Sequence, residues 1–151
     1  MTDDTPAPAP SKTPWHLWAV GIIAVLFNGI GAFDHIMVMI QGAAYLRSAG
    51  MSEAAIAHQT SLPGWMMAVW AIGVWGAMLG SILILLRRKT AWQVLAISLA
   101  AFLVSVFYNY GLTDGGAIMG QQIVIISVVI AGLLAFFTWY AWTMGKRGVL
   151  L

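Results

Sequence analysis

Cysteine is absent, which excludes disulfides, iron–sulfur ligation, thiolate metal sites and a thiol nucleophile. Charge is nearly as scarce, since Asp, Glu, Lys and Arg make up 8% of the chain against 61% hydrophobic residues. Such a chain cannot cover itself with a water-facing surface, so lipid must act as its solvent. Proline is thin in the body of the sequence: Pro6, Pro8, Pro10 and Pro14 precede Trp15, and only Pro63 follows. Also missing are a nucleophile beside an aligned base, a paired-carboxylate hydrolytic site, a phosphate loop and a zinc motif, so no enzymatic chemistry is recognisable. No polar stripe crosses the apolar segments at mid-depth, as a hydrated pore or a substrate path would require. No cofactor, metal or nucleic-acid partner is expected.

What the chain does have is apolar length. Trp15 to Ile40, Pro63 to Leu86, Ala91 to Tyr110 and Gln122 to Met144 each reach the roughly 20 residues that a helix needs to cross a bilayer core. The expected fold is all-α, an antiparallel four-helix transmembrane bundle over residues 15–144. Residues 1–14, rich in proline and small polar side chains, are expected to form a disordered tail, and residues 145–151 a short basic one. The start is acidic and the first apolar run exceeds the about 7–15 residues of a secretory core, so that run is expected to remain as a span.

Lys12, the Arg87, Arg88 and Lys89 turn, and Lys146 with Arg147 all fall on one side of a four-span chain, while Arg47 stands alone on the other. That asymmetry predicts cytoplasmic amino and carboxyl ends. Trp15, Trp18, Trp92, Trp139 and Trp142 gather at the same interface, and Tyr45, Trp65, Tyr108 and Tyr110 mark the opposite one. The four-residue turn Arg87 to Thr90 makes spans two and three antiparallel neighbours. Gly111 to Gln121, with Asp114, Gly115 and Gly116, reads as turns and loop. The longer connection from Gly42 to Leu62 mixes apolar and polar residues and predicts one or two short external helices, with Gly50 as a break and Ser52 as a cap lacking the full capping box.

Small residues four apart offer packing faces: Gly76 and Gly80 with Gly73 and Ala77 on span two, Ser127, Ala131 and Ala135 on span four, Ala24 and Asn28 on span one. The span-two face meets either another span of the chain or a second subunit. Polar residues concentrate toward the outer half. Asp34 falls near the external edge of span one, where a carboxylate must face protein or water. It is either an interfacial acid, a structural partner of Arg47 or His58, or a ligand-binding or proton-handling group. Asn28, Gly31 and His35 share one side of span one, with Asp34 at its rim. Ser105 and Asn109 on span three, and Gln121 and Gln122 opening span four, complete a candidate external polar pocket whose alternative is ordinary interhelical hydrogen bonding. His35 with His58 would suit haem only if the external helix folds back onto the bundle, and the outer methionines with imidazoles would suit monovalent copper, although methionine commonly serves as core filler.

Three functional readings follow. The first is a small membrane protein acting through helix contacts, as an accessory or assembly subunit or as a homo-oligomer. The second is a solute or ion transporter or ligand binder using the external pocket, and the third a haem or copper protein. The segments Trp15-His16-Leu17-Trp18, Phe27 to Asp34, Pro63-Gly64-Trp65, Trp70 to Gly76 and Gly80-Ser81 resemble a group of small four-span bacterial inner-membrane proteins, sometimes loosely labelled sugar transporters. The likeness runs from Trp15 to about Gly116. It implies a bacterial inner-membrane location and a four-helix architecture, and carries no activity onto any residue; members often show an aromatic where this chain has His35.

Overall fold

The computed structural model describes residues 11–151, and most of the tail expected over residues 1–14 lies outside them. The described chain is all-helical. Helix α1 (Trp15–Gln41) begins after Pro14, whose extended backbone and missing N–H suit a helix entry, and ends at Gly42, where φ is +54°. Only glycine takes that conformation cheaply, and the reversal sends α2 (Ala43–Ser48) back over the end of α1. Gly50, at φ +83°, turns the chain again into α3 (Glu53–Thr60). Ser52 does cap α3, its hydroxyl accepting the Ala55 N–H at 3.2 Å, so the reciprocal acid three residues on proves dispensable.

Helix α4 (Gly64–Leu85) follows Pro63, and α5 (Ala91–Phe107) follows the short basic turn. The end of α5 widens into a π-helical turn, Tyr108–Leu112. The segment expected as loop then folds in part as a short helix, α6 (Gly115–Met119), closed by Ile118 N–H donating to the Asp114 carbonyl. Gly120, at φ +82°, leads into α7 (Gln121–Lys146). Four helices, Trp15–Gln41, Gly64–Leu85, Ala91–Leu112 and Gln121–Lys146, are long and apolar enough to cross a membrane. The chain is a multi-pass membrane protein.

The spans pack in series. α4 lies against both α1 and α5, α7 lies on α5, and contact between α4 and α7 is slight. The main core sits at the basic end, where Leu17 and Ala24 of α1, Ile84 of α4, Leu95 of α5, and Phe137, Tyr140 and Met144 of α7 are buried together. Val149 and Leu150 join them, because the chain after α7 folds back: Lys89 N–H donates to the Leu151 carbonyl at 2.8 Å, Leu151 N–H to that of Arg87 at 2.6 Å, and Arg87 Nε to that of Val149 at 3.1 Å. A second cluster at the opposite end joins Val38, Leu46 and Ile56, with Tyr45, Met51 and Trp70 against it, and this fastens α2 and α3 onto the spans.

The small face of α4 is used inside the chain. A Cβ added at Gly80 would stand 2.5 Å from Leu95 Cγ, one at Gly76 3.1 Å from Ser98 Cβ, and one at Gly73 3.7 Å from the Phe102 nitrogen, all on α5. The close approach lets the buried Ser98 hydroxyl donate across to the Gly73 carbonyl. Ala77 is buried on the same helix. Ala24 and Asn28 likewise face inward from α1, whereas Ala135 on α7 stays exposed.

Candidate functional site

Several polar side chains of the spans are satisfied in pairs along different seams. Asn28, buried one turn from Ala24, donates through Nδ2 to Ser81 Oγ on α4 at 2.9 Å, and that hydroxyl donates onward to the Ala77 carbonyl at 2.7 Å. Both polar side chains sit in the α1–α4 seam, where apolar surroundings require such pairing. Two turns along the same face, His35 is buried and its ring lies 4.5 Å from that of Trp70 and 6.2 Å from that of Trp75. The side of α1 that carries Asn28 and His35 is therefore a packed surface against α4.

Asp34, one residue earlier and half-buried, accepts a hydrogen bond from the Tyr45 hydroxyl at 2.9 Å. Tyr45 replaces the expected partners because the glycine reversal at Gly42 lays the first turn of α2 over the end of α1. Arg47 is engaged instead by Glu53 in a two-pronged ion pair of 2.6 and 2.9 Å, and His58 by Asn109. The bond to Asp34, aided by desolvation and the carboxylate's charge, raises the Tyr45 phenol above its ordinary value. The guanidinium of Arg47 holds Glu53 below the usual carboxylate range.

On the other seam, His58 Nε2 lies 2.8 Å from Asn109 Oδ1. Asn109 Nδ2 donates to the Ser105 carbonyl at 2.8 Å, which assigns Oδ1 as acceptor and Nε2 as donor. This contact ties helix α3 to the π-helical turn of span three. Gly115 fills the remaining space so closely that a Cβ there would come within 2.7 Å of the Asn109 carbonyl oxygen and 2.8 Å of His58 Nε2. Ser105 Oγ nearby is buried without a hydrogen-bond partner. Gln121 and Gln122 are exposed at the start of α7. Tyr110, on the π-helical turn, reaches Ser127 Oγ on α7 at 3.2 Å. These two groups stand beside an otherwise apolar cavity of about 320 Å³ between α5 and α7, lined also by Leu103, Val106, Val124, Val128 and Ala131.

The structure thus brings Asn28 to Ser81, Asp34 to Tyr45 and Asn109 to His58. His35 and His58 lie against different partners, and among the described residues no three His, Asp or Glu side chains converge as a metal site would need. The sequence reading passed over Ser81 and Tyr45. Tyr45 had drawn notice only as an interfacial aromatic, and Ser81 lies four residues after Ala77, which puts it on the same buried side of α4. The four long apolar helices match the architecture implied by the family resemblance. No protein-family model, curated protein or solved structure matches the chain, and nothing ties it to that bacterial family or to the transporter label.

Proposed function

We propose that this protein acts through helix contacts in the bilayer, as a homo-oligomer or as an accessory subunit of a membrane complex, with both ends on the cytoplasmic side. The observation that carries this reading is the serial packing of the spans, which leaves α1 and α7 each with a long face that no helix of the chain covers. On α7 that face runs through Ile125, Val128, Gly132, Ala135 and Trp139, all exposed. A Cβ added at Gly132 meets nothing within 4 Å. Small residues on an open face allow a further helix to approach closely, and van der Waals packing drives such association when lipid is as apolar as leucine. The α4 face, once the best candidate for this role, is already occupied by α5.

Gly132→Ile provides the test. Within one chain the larger side chain displaces nothing, so it leaves the monomer folded, yet it blocks close approach by a neighbour. Native mass measurement after gentle extraction is expected to show an assembly for the parent and a smaller one for the variant. A parent that is strictly monomeric and without a companion overturns the proposal.

A further inference from the structure

The basic end of the bundle carries a second cavity, of about 360 Å³, between the start of α5 and the end of α7, lined by Lys89, Trp92, Trp142, Gly145 and Lys146. Its size is at the lower end of the roughly 300–1,000 Å³ typical of ligand pockets. Gly145 is buried and forms part of the wall, where Lys89 Cγ passes 3.7 Å from the position its Cβ would take, the distance of an ordinary van der Waals contact. From the other side, Lys146 Nζ rests 3.8 Å from the centre of the Trp142 ring. That position is favourable for an ammonium and anchors it at the cavity.

The charge is one-sided. No carboxylate lines the cavity, and the salt bridge found among the described residues, Arg47 with Glu53, is at the opposite end of the molecule. Two lysines therefore line one small space, with no acidic side chain in that lining. At the end of α7 the carbonyls of Thr143, Met144 and Gly145 accept the N–H groups of Arg147, Gly148, Val149 and Leu150, and the two lysines are the charged side chains of the lining.

We propose that this cavity binds the phosphate of an anionic phospholipid, held between Lys89 and Lys146, with Trp92 and Trp142 flanking the glycerol part of the headgroup. Lysine binds phosphate as a mobile point charge, and indole rings favour the level of the headgroups. The volume suits a headgroup, and the acyl chains would run down the apolar exteriors of α5 and α7. A soluble phosphate shares the ionic contacts but gains nothing from the neighbouring lipid-facing surface. Basic pockets between membrane helices are a recurrent way of holding such headgroups.

The experiment titrates the full chain in neutral detergent with phosphatidylglycerol, and in parallel with phosphatidylcholine of the same chains, reading bound lipid by native mass spectrometry. The parent is expected to retain one phosphatidylglycerol with a preference of roughly tenfold or more. The double variant Lys89→Gln with Lys146→Gln should lose that preference. Arg88→Gln with Arg147→Gln removes the same charge outside the cavity lining and should keep it. All four side chains are exposed, so both variants are expected to fold, and circular dichroism checks this. Equal loss in the two double variants would reduce the effect to general surface charge and overturn the proposal, as would a parent without preference. Competition by inorganic phosphate or glycerol 3-phosphate as potent as that by the lipid would overturn the lipid assignment.

Discussion

Asp34 illustrates how a single carboxylate is accommodated at the edge of a bilayer. Its partner is a neutral hydroxyl on the next helix, so the charge stays at the rim while a directional bond replaces part of its hydration. The consequence for titration falls on Tyr45. Ionising the phenol removes the donated proton and sets a second negative charge beside the first, which is why its folded-state value lies above the ordinary one. A group raised on folding contributes stability that is complete below its unfolded value, about 10 for tyrosine, and is lost as pH rises through the folded value. In alkaline spectrophotometric or NMR titration, Asp34→Asn is therefore expected to bring Tyr45 down toward the ordinary value. An unchanged Tyr45 titration in that variant would remove Asp34 as the cause. That Asp34 would need protein or water was legible from its depth in span one. Its partner was not, because Tyr45 becomes a neighbour only through the positive φ of Gly42, and tertiary contacts across such a reversal leave no local pattern.

At the level of elements, the α4–α5 pair depends on closeness. Gly80 is buried, and the Leu95 side chain occupies the space a substituent would need, with the Leu95 backbone nitrogen 3.3 Å from an added Cβ. Leu95 is itself fully buried, so it has little room to yield. Gly80→Leu is expected to destabilise the bundle by about 1–3 kcal/mol, the usual range for overpacking, with Gly76→Ala milder because its nearest neighbour lies at 3.1 Å. Unfolding from mixed micelles measures both, and a neutral Gly80→Leu would mean that the seam is looser than its geometry. The small face was readable from spacing, whereas its occupant was not, since spacing reports that something approaches and not what. The helix after the basic turn was equally readable up to Tyr110. The π-helical widening at Tyr108–Leu112 was hidden: it carries Asn109, whose partner His58 is 51 positions away, and no local pattern marks it. The short α6 was read as loop on its glycines. Gly115 and Gly116 enter a helical turn here because Gly115 must approach the Asn109 backbone, and that need outweighs glycine's poor helix propensity.

For the whole molecule, the antiparallel spans put Lys12, the Arg87 to Lys89 turn, Lys146 and Arg147 at one end, and α2, α3 and α6 at the other. An exposed residue of the second end reports orientation directly. Asp114 is such a residue. Asp114→Cys, in a chain that has no other cysteine, is expected to react with an impermeant thiol reagent in intact cells. Labelling that appears only after permeabilisation would reverse the assigned sidedness. The number of spans was legible because a bilayer imposes a length rule on sequence directly. The folding of Val149 and Leu150 into the core was not, since two residues carry no periodicity.

The order in which the spans pack bears on how the chain is made. Each span after the first finds its main neighbour in the one synthesised just before it: α4 on α1, α5 on α4, α7 on α5. A helix leaving the insertion machinery therefore meets its main neighbour already in the bilayer, while the contact of α1 with α7 at the basic end, where His16 meets the Tyr140 hydroxyl, closes when the last span arrives. Assembly can advance at the pace of synthesis, one seam per span, and the polar pairs Asn28 with Ser81 and Ser98 with the Gly73 carbonyl close as soon as the second member of each arrives.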